Sequence, residues 1–244
     1  MLEEEWQLRV ELAACYRIAD YMDWGELIYN HITMRMPGPK NEFLINPYGL
    51  RYDEVTASNL LHIDQEGKIL GDSNWPMNSA GFTIHSAIHE SSPDAHCILH
   101  THTTAGCAVA AQTGGLRMES IYASMLYDKI AYHDFEGVTV RDNEKPRLVK
   151  SLGDKSYLIL RNHGLLTVGK TIPEAFLRMW HLNRACEIQI SAGSSSQSTI
   201  SISEKACKGS VDAWESYDSK EPHGARQFAA YWRLIEDLDL NYKT

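Results

Sequence analysis

The feature that most narrows the fold is a pair of short apolar runs, Tyr157-Leu158-Ile159-Leu160-Arg161 and Leu165-Leu166-Thr167-Val168, joined only through Asn162-His163-Gly164. Each run is too short for a helix and lacks polar alternation, so each reads as a strand covered on both faces. The connection is tight enough to make them an antiparallel hairpin. A hairpin of that kind has to lie inside a sheet with helices packed over it, which makes the chain α/β rather than a bundle or a sandwich.

Helical patterns supply the covering layers. Glu3 to Tyr21 carries three glutamates in its first turn and apolar residues at helical spacing from Trp6 onward. Asn78 or Ser79 can cap a helix that runs through Phe82, His85 and His89 and stops before Pro93. Thr103 or Thr104 can cap another over Ala105 to Gln112, and Thr171 with Glu174 reads as a capping-box start for a long helix bearing Phe176, Met179 and Trp180. Between them lie strand patterns. Residues 32–35 and 42–46 pair across the Pro37-Gly38-Pro39 break, 60–64 and 68–70 form a second hairpin, and His96 to His102 is a mostly apolar strand. After Gly193 a serine-rich stretch reads as a linker, and Phe228, Tyr231, Trp232 and Ile235 give a short helical pattern near the end.

Composition excludes several classes of function. Lys+Arg number 23 against Asp+Glu 32, a formal charge of −9, so the chain lacks the basic balance that nucleic-acid or anionic-membrane binding requires. No apolar run reaches the length of a membrane span, and the start, Met1-Leu2-Glu3-Glu4-Glu5, is unlike a secretory signal. The 5 cysteines follow no disulfide framework and read as reduced thiols, which points to the cytoplasm.

The 11 histidines carry the chemistry. His100 and His102 stand two apart at the end of a strand, where both side chains share a face and can converge on one ion. His163 sits in a turn between two buried strands, a place with no packing use for an imidazole, and is a third corner. Three imidazoles with an open position suit a catalytic zinc; imidazole also suits iron, copper and nickel, and the ion expected is zinc first, with iron, manganese or nickel as alternatives.

These residues also carry a likeness. Asn78-Ser79-Ala80-Gly81-Phe82-Thr83-Ile84-His85, Leu99-His100-Thr101-His102, Arg161-Asn162-His163-Gly164-Leu165-Leu166, and Phe43 to Leu50 with Thr56-Ala57-Ser58 resemble the class II aldolase/adducin family, in its order and spacing, from about residue 8 to 192. The adducin head domain and bacterial proteins like it are the nearest part of that family. The resemblance implies a three-layer α/β/α fold around a mostly antiparallel sheet in residues 1–192; residues 193–244 lie outside it and read as a linker and C-terminal extension packing on that domain or on a neighbouring subunit. It implies a divalent metal, zinc first, on His100, His102 and His163, a small-molecule substrate, and a homo-oligomer, tetramer or dimer. In such enzymes, which include fuculose-phosphate aldolase, the metal polarises a carbonyl oxygen.

Two departures matter. The place of the family's acid/base glutamate falls on Gly81, and Tyr122, Tyr127, Asp134 and Glu90 are substitutes by residue type alone. In the phosphate pocket Asn30, Gly49 and Ser79 match, while Tyr29, Tyr48 and Ala80 replace a glycine, a threonine and a serine. The expected substrate contacts are Asn30, Tyr48, Gly49, Ser79 and Gly81. Two tyrosines suit a larger or less charged molecule than a sugar phosphate. A metal-dependent lyase, cleaving or decarboxylating a hydroxy-carbonyl compound or keto acid, fits this pattern best. The alternatives are a non-haem iron oxygenase and a non-catalytic adducin-like module. His85 and His89 are expected to pack or hydrogen-bond, and His133 could reach the pocket.

Overall fold

Strand β1 (His31–Arg35) shows how the sheet is built. Ile32 and Met34 face one apolar layer, while His31 and Thr33 face the opposite one, so a strand buried almost throughout divides its side chains between two cores. The structure, a computed structural model, describes residues 3–38, 41–137, 142–217 and 220–244. Met1, Leu2 and Pro39 lie outside them.

Seven strands form one sheet in the order β3-β2-β1-β4-β7-β6-β5, with β2 at Glu42–Ile45, β3 at Leu61–Asp64, β4 at Cys97–Thr101, β5 at Ile130–His133, β6 at Tyr157–Leu160 and β7 at Gly164–Gly169. Every neighbouring pair is antiparallel except β5 with β6. One face is covered by α1 (Glu3–Tyr21), α3 (Thr104–Ala110) and α6 (Ile172–Gly193), whose apolar residues merge with those of β1, β4 and β7. The other is covered by α2 (Ser79–Ser91) and α5 (Lys145–Leu152), through Ile84, Ile88, Leu148 and Leu152. The result is the expected three-layer α/β/α architecture.

Caps fix the helix starts. Asn78 accepts the Gly81 N–H at α2, Thr103 the Gly106 N–H at α3, and Thr171 the Glu174 N–H at α6. At α6 the reciprocal half of a capping box is replaced, because the Glu174 carboxylate takes the Lys170 N–H and pairs with Arg178. The 68–70 arm pairs antiparallel with β3 through an Ile63–Ile69 bridge and backbone hydrogen bonds from Asp64 to Lys68 and from Leu70 to His62, while β3 finds its longer partner in β2. The serine-rich stretch after Gly193 carries no helix or strand before Glu204. Helices α7 (Glu204–Ser216) and α8 (Ala225–Leu238) follow α4 (Ile121–Met125) in number, and Phe228 of α8 meets Phe176 edge to face. The last residues return to the domain, with Ala57 and Ser58 donating backbone hydrogen bonds to Tyr242 and Thr244. None of the described helices is long and apolar enough to cross a membrane.

Candidate functional site

The sheet register brings histidines together. His100 near the end of β4 lies opposite His31 of β1 on one side and Leu166 of β7 on the other. His102 follows the strand by one residue, and the β6–β7 turn carries His163 back over it. That turn has a specific backbone. Asn162 adopts φ 54°, the left-handed region that asparagine tolerates, and its N–H donates to the Ala110 carbonyl. Gly164 is required by proximity, since a Cβ there would collide with the Thr101 carbonyl oxygen and reach the His102 ring at 3.0 Å. The Cys107 thiol donates to the His163 carbonyl, tying the turn to α3.

The three rings meet. Centroids are 4.6 Å apart for His100 and His102, 4.9 Å for His100 and His163, and 4.9 Å for His102 and His163. One ring nitrogen from each lies within 4.8 Å of the other two, and no other group among the described residues gathers three such donors. The Leu165 carbonyl, 2.8 Å from His100 Nδ1, can only accept, so His100 carries its proton there and points a lone pair from Nε2. That lone pair faces His102 Nε2 at 2.8 Å. Burial, with the neighbouring imidazoles, holds His100 well below the ordinary histidine range, and burial lowers His102 and takes His163 to about 4. All three are therefore neutral at pH 7, as ligands must be, and the donor set fits a borderline divalent ion.

The cluster forms one wall of a cavity of about 600 Å³. Of the residues named as substrate contacts, Tyr48 and Gly81 line it, and so does the half-exposed Tyr29. Other expected contacts lie elsewhere. Asn30 is buried and donates to the Trp24 carbonyl, Gly49 packs by the Trp75 ring, and Ser79 is exposed at the start of α2. The acid/base substitutes do not line the cavity. Tyr122 packs on Trp180 and His181, Tyr127 follows α4 two residues after its end, Glu90 is exposed on α2, and Asp134 borders a crevice beside His163. His133 sits in that crevice between the Ser151 hydroxyl, 3.0 Å from Nδ1, and Glu144, 3.3 Å from Nε2.

Sequence reasoning passed over His31, one residue before the strand pattern began. It lines the cavity, 3% exposed, with its ring centroid 5.4 Å from His100 and 4.2 Å from His85. Behind it, Thr33 Oγ1 lies 2.7 Å from both His85 Nδ1 and His89 Nε2, while His89 Nδ1 donates to the Ala95 carbonyl at 2.7 Å. His85 and His89 thus hydrogen-bond within the core.

A mostly antiparallel sheet between helix layers, with three histidines gathered where strand ends meet a cavity, defines an aldolase-type α/β/α protein. The Class II Aldolase and Adducin N-terminal domain matches residues 10–190. A class 2 aldolase-type protein of Pseudomonas aeruginosa is 47% identical over 208 residues, covering 85% of this chain and 80% of its own. Mouse alpha-adducin is 44% identical over 97% of this chain, which spans 34% of the adducin. Among solved structures, an aldolase II superfamily protein from Pseudomonas syringae superposes with a TM-score of 0.95 at 39% identity, over 100% of this chain and 98% of its own. An L-fuculose 1-phosphate aldolase from Glaciozyma antarctica superposes at 0.84 with 30% identity, over 97% and 90%. The chain belongs to the class II aldolase/adducin family.

Proposed function

We propose that this protein is a metal-dependent lyase that cleaves or decarboxylates a small hydroxy-carbonyl or keto-acid substrate, with His100, His102 and His163 holding one divalent cation, zinc in the first instance. The observation that carries this is the convergence of three neutral imidazoles from two distant chain segments on one wall of a cavity of about 600 Å³. A cation held there supplies an electron-withdrawing centre for a substrate carbonyl. The Leu165 carbonyl keeps His100 in the tautomer that presents Nε2, and the Gly164 close approach keeps the His163 turn over the pair. Tyr29 and Tyr48 line the cavity and favour a larger, flatter or less charged molecule than a sugar phosphate. Loss of CO₂ requires no base in the place of Gly81, which makes decarboxylation the better match, while the 30% identical L-fuculose 1-phosphate aldolase supports carbon–carbon cleavage as the reaction type. Family likeness supports a homo-oligomer, tetramer or dimer, and the lack of a disulfide framework among the 5 cysteines supports a cytoplasmic location.

The test is elemental analysis of protein purified without added metal, followed by assays on a panel of hydroxy-carbonyl compounds and keto acids. About one ion per chain and turnover on the panel are expected, with both lost in His102→Ala. Protein that holds no metal and resists reloading overturns the reading. The 44% identity to alpha-adducin favours a second reading, a non-catalytic module, which metal-loaded protein inert on the whole panel would select.

A further inference from the structure

His31 has a place that core packing does not explain. Its ring occupies the volume of a side chain at position 81: a Cβ on Gly81 would lie 2.6 Å from His31 Nδ1 and 2.7 Å from Nε2. The glycine at the start of α2 and the imidazole on β1 are therefore complementary shapes, and the ring reaches the cavity because residue 81 has no side chain. The ring is buried, yet its Nε2 has no hydrogen-bond partner, a costly state in a folded protein unless a ligand or water meets it.

The neighbouring hydrogen bonds say what kind of group could meet it. The Ala95 carbonyl accepts from His89 Nδ1, so neutral His89 presents a lone pair at Nε2. The Thr33 hydroxyl must donate to that lone pair, which leaves its oxygen to accept from His85 Nδ1. His85 Nε2 is then a second lone pair without a partner, so its ring offers His31 no donor. On its other edge, His31 Nδ1 lies 3.4 Å from the Tyr29 carbonyl, an acceptor that places the His31 proton on Nδ1. Carbonyl acceptors at both ends thus leave His31 Nε2 as an acceptor beside the three-histidine cluster.

We propose that His31 is a substrate-contacting residue that accepts a hydrogen bond from a hydroxyl of the molecule held at His100, His102 and His163, and so selects hydroxylated ligands; this rests on the metal-centre reading above. The probes are glycolohydroxamate and acetohydroxamate, which share one chelating group and differ by a hydroxyl. Titrated calorimetrically into the zinc-loaded protein, the hydroxylated probe should bind about tenfold tighter, the effect of one well-made hydrogen bond. His31→Phe keeps the ring and removes the acceptor. It should bring the ratio to about one while zinc content and acetohydroxamate affinity hold, and His31→Gln, which restores an acceptor oxygen, should recover part of the preference. His31→Leu gives the same comparison if the Phe variant fails to fold. A ratio near one in the wild type, or a ratio unchanged in His31→Phe, overturns the proposal and leaves the metal centre standing. Failure to load zinc overturns both, and the zinc stoichiometry tells the cases apart.

Discussion

Replacing Thr33 with Val tests the hydrogen-bond chain behind the site. Valine has nearly the shape of threonine, so the perturbation is the loss of one hydroxyl and little else. That hydroxyl is fully buried and serves two imidazoles, each at 2.7 Å. Without it, His85 Nδ1–H loses its acceptor and His89 Nε2 its donor, in surroundings that admit no water to either ring. Leaving a buried polar group unpaired costs about 1–3 kcal/mol, so two cost roughly 2–6 kcal/mol, less about 1 kcal/mol recovered by the added buried methyl. For a chain of this size about 3 kcal/mol lowers the melting temperature by roughly 6–12 °C. Thr33→Ser is the control, since it keeps the hydroxyl and loses only a methyl, for about 1 kcal/mol. Thermal and urea unfolding of the three proteins provide the readout. If Thr33→Val proves as stable as Thr33→Ser, the hydroxyl is not bridging the two rings and the tautomer assignments that depend on it are wrong.

Further consequences follow from the same geometry. Acid should destabilise the metal-free protein steeply: burial lowers His89 to about 3 and His31 to about 4, so below the ordinary value near 6.5 the unfolded chain takes up protons that the fold excludes. Their contribution is present in full above pH 6.5 and falls with pH, by about 2 kcal/mol per ring between pH 6.5 and 5, and urea midpoints that stay flat over that range would contradict it. Gly81→Ala should cost about 1–3 kcal/mol by pressing on the His31 ring, and His31→Ala in the same chain should return at least 1 kcal/mol of it, a coupling that additive unfolding energies would refute. Gly164→Ala must move the turn off the Thr101 carbonyl; a loss of about 2 kcal/mol or more in unfolding and a drop in zinc retention are expected, whereas full retention would show that the turn does not position His163.

What could be read from the chain alone follows a physical division. Elements announced by a cap and a long periodic pattern were legible: α1, α2 behind Asn78, α3 behind Thr103, α6 behind Thr171, and the β6–β7 hairpin with its Asn-His-Gly turn. Short elements held by tertiary contact were not. Helix α4 has 5 residues, and α5 hides behind a proline in its first turn. Strand β5 pairs parallel to β6, a partner set by a crossover rather than by a local turn. Helix α7 is largely polar, with Cys207 and Val211 as its buried residues, so its apolar stripe is too thin to see.

The site divides the same way. His100 and His102 announce themselves through strand period, and His163 through a turn that had no use for an apolar side chain. His31 had no local signal, because its role comes from the antiparallel register with His100 and from the space left above it by a residue fifty positions away. Nothing in packing energetics asks for such a line of rings. Phe43, stacked on His89 at 4.4 Å, shows that apolar surface reaches the same layer, and aliphatic residues at 31, 85 and 89 could bury themselves without the need for partners that Thr33 and Ala95 now supply. His31, a buried ring with an unpaired nitrogen at the cavity, is therefore a cost to stability, and under the proposal above its return lies in orienting that nitrogen toward a molecule bound beside His100, His102 and His163.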